Sequence, residues 1–248
     1  MLFNSLTFLV FFALVFALHR LMPSWVAQKR LLLAASYLFY AAWNPPYILI
    51  LLFSTILDWW LARLIWRCED DRRRRNLLAL SLLSNLGMLG FFKYGNFLLV
   101  NFQSTLAIFG VLYHPPALDI VLPVGISFYT FASLSYTIDV YRHEVRGDWS
   151  FLDYALFVSF FPHLVAGPIV RAYQLLPQMT APRRASADQL GWGLVLLALG
   201  LWSKTVMADS IFAPVVDSVY ENPAVSGAVD AWSAVLAFTG QIYFNIQG

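Results

Sequence analysis

A histidine inside an apolar run is the first residue of this sequence that could do chemistry. His163 lies in residues 160–171, where Pro162, Gly167 and Pro168 interrupt a stretch of membrane length. Prolines and glycines break the helical hydrogen-bond ladder, and lipid tolerates such a break only where protein or a water-filled cavity supplies new partners. An ionisable side chain at a break of this kind is a candidate functional residue.

Two interpretations of His163 are open. In the first, its imidazole acts as a general base or acid, because this group titrates near neutral pH. In the second, the ring nitrogens bond to backbone carbonyls that the neighbouring prolines leave without amide partners. The residues alone favour the second interpretation, and His163 stays a weak candidate for a catalytic residue.

A hydroxyl-rich segment precedes this run. So many polar groups on one membrane helix predict a face against other helices or a polar cavity. Asp139, at the end of the segment, could orient a base or bind substrate, but pairing with Arg142 or Arg171 is the simpler prediction. Arg171 could meet an anionic acyl carrier, although arginine at the end of a span usually marks the cytoplasmic boundary. The polar residues of the segment are Tyr129, Thr130, Ser133, Ser135, Tyr136, Thr137 and Asp139.

Several kinds of site are excluded by residue type and spacing. His19, His114 and His143 have no second histidine at helical spacing and no carboxylate pattern, so we expect no metal site. The single cysteine, Cys68, rules out an intramolecular disulfide. Glycine loops that bind phosphates or dinucleotides do not occur. The net charge of +2 gives no reason to expect binding to nucleic acid.

The composition is that of an integral membrane protein. Hydrophobic residues make up 60% of the chain and charged residues 12%, with a mean hydropathy of +0.66, whereas soluble domains carry about 25% charge. We expect an all-α, multi-pass helical bundle with a broken or re-entrant segment near 151–170, in a single transmembrane domain over residues 1–248. The apolar segments are Leu2–Leu18, Arg30–Trp43, Tyr47–Trp66, Leu77–Phe92, Phe97–Val111, Leu118–Val140, Phe151–Val170, Leu190–Met207 and Ala228–Gln247.

The connectors predict how these segments are joined. Asn44–Pro46 and His114–Pro116 read as turns, Lys93–Asn96 as an interruption and Arg67–Asn76 as a solvated loop. Basic residues should lie in the cytoplasm, and a full span over 151–170 would put Arg171, Arg183 and Arg184 outside. The conflict disappears if this segment enters and returns on the cytoplasmic side, with His163 near its turn.

Several ordered motifs resemble the membrane-bound O-acyltransferase family, in particular the bacterial branch that O-acetylates alginate and other polysaccharides. Two of them are Leu-Pro-Val-Gly-Ile-Ser-Phe-Tyr-Thr-Phe at 122–131 and Ser-Tyr-Thr-Ile-Asp-Val-Tyr-Arg at 135–142. The run at 161–171 is the third. Supporting matches are Ala-Ser-Tyr-Leu-Phe-Tyr-Ala-Ala-Trp at 35–43, Phe-Phe-Lys-Tyr-Gly-Asn-Phe at 91–97 and Gln-Ile-Tyr-Phe at 241–244.

The resemblance implies a protein of the bacterial inner membrane that moves acetyl groups towards an extracytoplasmic polysaccharide. It implies an acetyl donor such as acetyl-coenzyme A, no bound cofactor, and a periplasmic acetyltransferase or polysaccharide-assembly partner. The family's catalytic histidine lies in a Trp-His motif downstream, and this chain has no such pair, so it matches the first half of such an enzyme and is expected to be inactive alone. We assign His163, Tyr129, Asp139 and Arg171 to the substrate passage. A multi-pass transporter and a non-enzymatic envelope scaffold are the alternatives.

Overall fold

The computed structural model describes residues 5–110, 121–165, 170–182, 185–221 and 227–247, and these residues form helices and no strand. Two compact units arise, one from Met1–Ala13 with Arg183–Gly248 and one from Leu14–Pro182. Within the described residues, three helical stretches are long and apolar enough to cross a membrane: Pro45–Arg67, Asp71–Ile108 and Ala187–Tyr220. The prediction of an all-α bundle with membrane-length helices is confirmed, and that of a single domain stays a prediction.

Several helices of the unit Leu14–Pro182 match a predicted segment, whereas Leu77–Phe92 and most of Phe97–Val111 fall within one helix. Helix α1 (Leu6–Leu21) contains the boundary between the units. It is followed by α2 (Trp25–Ala41), α3 (Ile48–Arg67), α4 (Asp71–Ile108), α5 (Ile126–Tyr141), α6 (Phe151–Ser159), α7 (Phe161–Leu164) and α8 (Ala172–Leu175). A short 3₁₀ turn, Pro45–Tyr47, forms the predicted turn between α2 and α3. The predicted turn at His114–Pro116 lies outside the described residues.

Helix α3 is central to this unit, since it packs against α4, α5 and α6, while α2 packs against α6. Tyrosine rings fill much of the interior: Tyr136 and Tyr154 lie 4.6 Å apart between ring centroids and are fully buried. The prediction that α5 presents its polar residues to other helices is confirmed, because six of the seven polar residues named above are buried and only Ser135 is half-buried. This packing fixes α5 and α6 side by side.

Two sequence expectations about α4 are wrong. The charged residues Arg72–Arg75 belong to its first turns and are not a loop, because the Asp70 side chain caps the helix by accepting from the Arg72 amide at 2.9 Å. The helix also runs through Lys93–Asn96 without interruption. This stretch contains no proline, and a single glycine lowers helix stability by only about 1 kcal/mol.

The other unit is built on α9 (Ala187–Trp202), a π-helical stretch (Ser203–Phe212), α10 (Ala213–Tyr220) and α11 (Ala228–Gln247). Helix α11 packs on the π-helical stretch, where Phe212 and Phe244 stack with ring centroids 5.7 Å apart. Lys204 and Asp209 pair at 2.6 Å. Because π-helical bonds join residues five apart, this winding brings the two side chains to one face.

Candidate functional site

The break in the predicted re-entrant segment lies between α6 and α7. The Phe161 amide, which would bond to Phe157 in a continuous helix, donates to the Ser36 hydroxyl of α2 at 3.1 Å. The Phe157 carbonyl oxygen instead lies 3.0 Å from His163 Nε2. Pro162 has no amide hydrogen of its own to continue the ladder. The segment is therefore broken as predicted, and two side chains replace the lost backbone partners.

The contact of His163 with Phe157 bears on one ring nitrogen. A carbonyl oxygen only accepts hydrogen bonds, so Nε2 must carry the hydrogen that it shares with Phe157. This nitrogen therefore makes a backbone hydrogen bond of the kind that the second interpretation expects. In a neutral ring, Nδ1 is then the hydrogen-bond acceptor. The ring is partly exposed and packs edge-on against Phe160, with centroids 5.7 Å apart.

A narrow pocket adjoins the imidazole. Its volume of about 10 Å³ is close to the least that holds one water molecule. The Tyr129 hydroxyl is buried, lies close to that of Tyr40, and makes no well-formed hydrogen bond with the described residues. The pocket therefore brings His163 and Tyr129 together, as two of the four predicted passage residues. It is lined by Phe128, Tyr129, Ala132, Val158, His163, Leu164 and Val170.

The other two predicted passage residues form a second group. A carboxylate oxygen of Asp139 lies 3.9 Å from Arg171, with Asp139 buried and Arg171 more than half exposed. Of the two partners that the sequence offered Asp139, the structure places Arg171 nearest, while Arg142 pairs with Glu144. Ten residues of helix, about 15 Å, separate Tyr129 from Asp139 along α5. The four predicted residues are thus two pairs at different levels of α5.

The described parts of residues 150–179, which are 150–165 and 170–179, join these two levels, and we call them the hairpin. Tyr154 contacts Ser133 and Tyr136 of α5, and four residues later Val158 lines the pocket with Tyr129. Helix α6 therefore runs antiparallel to α5. Gly125, just before α5, packs on the backbone of Leu164 at the end of α7. The hairpin has then reached the level at which α5 begins.

The hairpin returns to the level from which it started. The Met179 carbonyl accepts hydrogen bonds from Trp25 Nε1 at 2.8 Å and from Lys29 Nζ at 3.3 Å. Lys29 also pairs at 2.5 Å with Asp153, in the first turn of α6. Ser150 caps that helix and donates to the same carboxylate at 2.6 Å. Both ends of the hairpin thus lie at one end of the bundle, and His163 lies at its turn. Gly167 and Pro168 are outside the described residues.

Basic residues gather where the hairpin begins and ends. Arg74, in the first turns of α4, donates to the Tyr141 carbonyl at the end of α5. Trp66, near the end of α3, packs on His143 beyond α5. We call this the charged end; it carries Lys29, Arg63, Arg67, Arg72–Arg75, Arg142, Arg146 and Arg171. Many basic residues of this unit therefore lie at one end, whereas Arg183 and Arg184 lie outside the described residues.

An ion pair between neighbouring residues sets the charge state of an aspartate at the charged end. In the connector between α5 and α6, Arg146 donates to both oxygens of Asp148, at 3.0 and 2.7 Å. These hydrogen bonds hold the pKa of Asp148 below its usual range.

At the opposite end, which we call the turn end, the Tyr47 hydroxyl donates to the Val121 carbonyl at 2.8 Å, and Phe92 packs on the Tyr47 ring. Charge is therefore concentrated on one side of the unit.

Sequence reasoning missed one buried group. Asp58 of α3 is fully buried and accepts hydrogen bonds from Ser81 at 2.6 Å and from Asn85 at 2.9 and 2.8 Å, both on α4. The signal that could have found it is an acidic residue in the middle of an apolar span. Among the described residues no group of three or more histidine, cysteine or acidic side chains could hold a metal ion.

The geometry defines a class of protein: a helical bundle of membrane-length helices with a polar, broken hairpin in its interior. Comparisons with known proteins refine this class. Over the whole chain, it is 36% identical to the probable alginate O-acetylase AlgI of Pseudomonas aeruginosa, covering 47% of that protein. It is also 36% identical to the probable alginate O-acetylase AlgI of Azotobacter vinelandii, again over the whole chain, covering 49% of that protein.

A third relative is named for a different substrate. The peptidoglycan O-acetyltransferase of Helicobacter pylori is 32% identical over 89% of this chain and 46% of its own length. No model of a known protein family matches. The likeness to named O-acetyltransferases confirms the resemblance of the motifs to the membrane-bound O-acyltransferase family. It spans about half the length of the curated relatives it matches.

Proposed function

We propose that the protein is a multi-pass inner-membrane O-acetyltransferase that moves acetyl groups across the membrane to a hydroxyl of an exported polysaccharide such as alginate. The donor would be acetyl-coenzyme A or another acetyl carrier on the cytoplasmic side. A periplasmic acetyltransferase or polysaccharide-assembly protein would act as the partner. The relatives support this proposal through their names, two as probable alginate O-acetylases and one as a peptidoglycan O-acetyltransferase.

The hairpin is the observation that carries the proposal. Its two ends lie at the charged end of the bundle, which basic residues would orient towards the cytoplasm. Its turn carries a half-buried, polar imidazole within an apolar bundle. A broken segment of this kind lines a substrate path in other membrane proteins, because its free backbone groups need polar partners. His163 and Tyr129 would line the inner part of the passage, and Arg171 with Asp139 its entrance.

The chemistry of the transfer assigns His163 a supporting role. When the acceptor hydroxyl attacks the acetyl carbonyl carbon, a C–O bond forms, the bond to the carrier breaks, and the hydroxyl proton passes through a base to the departing carrier. His163 Nε2 is already committed to the Phe157 carbonyl. We therefore propose that His163 lines the passage, that its Nδ1 accepts a hydrogen bond from the acceptor hydroxyl, and that another group makes the bond.

Labelled acetate tests this proposal in cells. A strain that lacks the gene would be complemented with the intact protein or with the His163→Ala variant, and base-labile acetyl esters on exported polysaccharide would be measured. We expect the intact protein to restore the esters, and His163→Ala to lower them by less than the roughly 100-fold or greater loss typical of a general base. Normal esters in the deletion strain, with no change on complementation, would overturn the proposal.

A second arm separates passage from catalysis. Membranes that carry only residues 1–248 would be given labelled acetyl-coenzyme A and polysaccharide, with His163→Ala as the control. We expect no transfer above background from either preparation. Robust transfer that depends on His163 would contradict the passage role and make this histidine the base.

A further inference from the structure

The buried carboxylate of Asp58 is a group that the proposed transfer does not use. It lies in α3, within Pro45–Arg67, a stretch long and apolar enough to cross a membrane. Its side chain is fully buried, as are those of its partners Ser81 and Asn85. Asn85 is held in turn by the Ser54 hydroxyl at 3.2 Å, with α3 and α4 both contributing. The group is therefore an interior polar cluster with a single acidic centre.

Hydrogen bonds have to stabilise this carboxylate. Among the described residues, Asp58 forms no ion pair with lysine, arginine or histidine. Moving a lone carboxylate into a low-dielectric interior costs several kcal/mol even after relaxation. The 2.6 Å distance to Ser81 is typical of a hydroxyl that donates to a charged oxygen. Asp58 is consequently held in one orientation by donors from α4.

A line of contacts leads from this centre to the hairpin. Helix α5 packs on α3, and its Ser133 side chain lies close to the Asp58 carboxylate. The Tyr154 hydroxyl of α6 donates to Ser133 at 3.2 Å, and both side chains are fully buried. Three residues further along α6, the Phe157 carbonyl accepts from His163 Nε2 at 3.0 Å. Donors and acceptors alternate correctly along this line if Tyr154 donates to Ser133 and Ser133 donates to Asp58.

We propose that Asp58 is a positioning residue for the acetyl passage, acting through Ser133 and Tyr154 to fix α6 and so the orientation of His163. The inference rests on the proposed function, because it assigns Asp58 to the passage. The carboxylate is anchored to α4, so Ser133 presents its oxygen to Tyr154 in one geometry. Tyr154 then sets the position of α6 along α5. The position of α6 fixes the Phe157 carbonyl. This carbonyl orients the His163 imidazole and so its Nδ1 atom.

A pair of tyrosine variants tests this line with little risk to folding. Tyr154→Phe removes only the hydroxyl that contacts Ser133. Tyr136→Phe is the matched control, because this ring packs on Tyr154 at 4.6 Å while its buried hydroxyl makes no hydrogen bond with the described residues. Asp58→Asn keeps the size of the side chain and removes its charge. The intact protein would be used in lipid, with its histidines labelled with ¹⁵N.

The first measurement is the ¹⁵N resonance of the His163 imidazole, assigned by its loss in His163→Gln. We expect Tyr154→Phe and Asp58→Asn to shift this resonance beyond its line width in folded protein, and Tyr136→Phe to leave it in place. A merely structural role would lower the unfolding temperature without moving the resonance. An unshifted His163 resonance in both Tyr154→Phe and Asp58→Asn would overturn the proposal.

The second measurement is acetyl transfer by the same variants. Loss of one buried hydrogen bond should lower it about three- to tenfold in Tyr154→Phe and leave Tyr136→Phe at the wild-type rate. If the resonance shifts but the wild type itself transfers no acetyl group, the proposed function is wrong, while the effect of Asp58 and Tyr154 on the orientation of His163 is supported. If transfer falls while the resonance is unmoved, Asp58 does not position His163 and the inference fails alone.

Discussion

A methyl group placed on Gly125 would lie 2.5 Å from the carbonyl oxygen of Leu164. The two residues belong to separate motifs, one opening α5 and the other closing α7. Gly125 also has a φ of +76°, in the left-handed region that favours glycine. The close approach therefore explains why glycine stands here, and it fixes the turn of the hairpin against the beginning of α5.

Gly125→Ala should destabilise the bundle. The left-handed conformation alone costs a non-glycine residue about 1–2 kcal/mol, and the contact with a backbone carbonyl forces a further shift. Gly87→Ala is the matched control, since a methyl group there meets no atom within 4 Å and alanine favours helix by roughly 0.5–1 kcal/mol. Thermal unfolding in detergent measures both. Equal unfolding temperatures for the two variants would show that the contact has no importance.

The Lys29–Asp153 pair should matter for the closed hairpin. Both side chains are about nine-tenths buried, and the lysine also holds the Met179 carbonyl of the returning arm. Asp153→Asn leaves a buried ammonium without its counter-charge, which typically costs about 3–5 kcal/mol. We expect a clear fall in unfolding temperature and faster proteolysis between residues 172 and 182.

Two further variants make this result specific. Lys29→Met combined with Asp153→Leu removes both charges, and apolar replacement of a buried pair is often neutral, so the double variant should regain much of the lost stability. Asp148→Asn breaks the exposed pair with Arg146 and should leave the unfolding temperature unchanged. A double variant less stable than Asp153→Asn would argue against a charge effect.

Ser36 should stabilise the break between α6 and α7. Its hydroxyl accepts from the Phe161 amide at 3.1 Å in a fully buried position. Ser36→Ala leaves that amide unsatisfied, at a cost of about 1–3 kcal/mol. Thr55→Val is the control, because the Thr55 hydroxyl is equally buried and donates only to a carbonyl of its own helix. Hydrogen exchange at Phe161 should accelerate in Ser36→Ala alone, and an unchanged rate would refute the assignment.

Much of the hairpin could be predicted from residue types. Proline and glycine in an apolar run indicated the break, and the excess of basic residues indicated that the segment returns to its own side. Tyrosine, serine and threonine on one segment indicated that α5 faces other helices. These features depend on local chemistry and on charge distribution, so they are readable without knowing which helices are neighbours.

Other features depend on residues far apart in the chain and could not be predicted from the sequence. Lys29 and Asp153 lie more than 120 positions apart, and their pairing follows from the packing of α2 on α6. The buried site of Asp58 could not be predicted, because its hydrogen-bond donors lie on another helix. The first turns of α4 were misjudged because its charged residues resemble a loop, although Asp70 caps them as a helix.

The two ends of the hairpin can be located directly with thiol reagents. Replacing Cys68, the single cysteine, by alanine gives a background for Glu144→Cys before the hairpin, Gln174→Cys after α7, and Ala42→Cys near the turn end. All three positions are exposed. Labelling with a membrane-impermeant maleimide would be compared in spheroplasts and in inside-out vesicles.

We expect the cysteines at positions 144 and 174 to react only in inside-out vesicles and the cysteine at position 42 to react only in spheroplasts. This result would place both ends of the hairpin in the cytoplasm, with His163 at its turn within the membrane. Reaction of the cysteines at Glu144 and Gln174 from opposite sides would contradict it, because residues 150–179 would then cross the membrane.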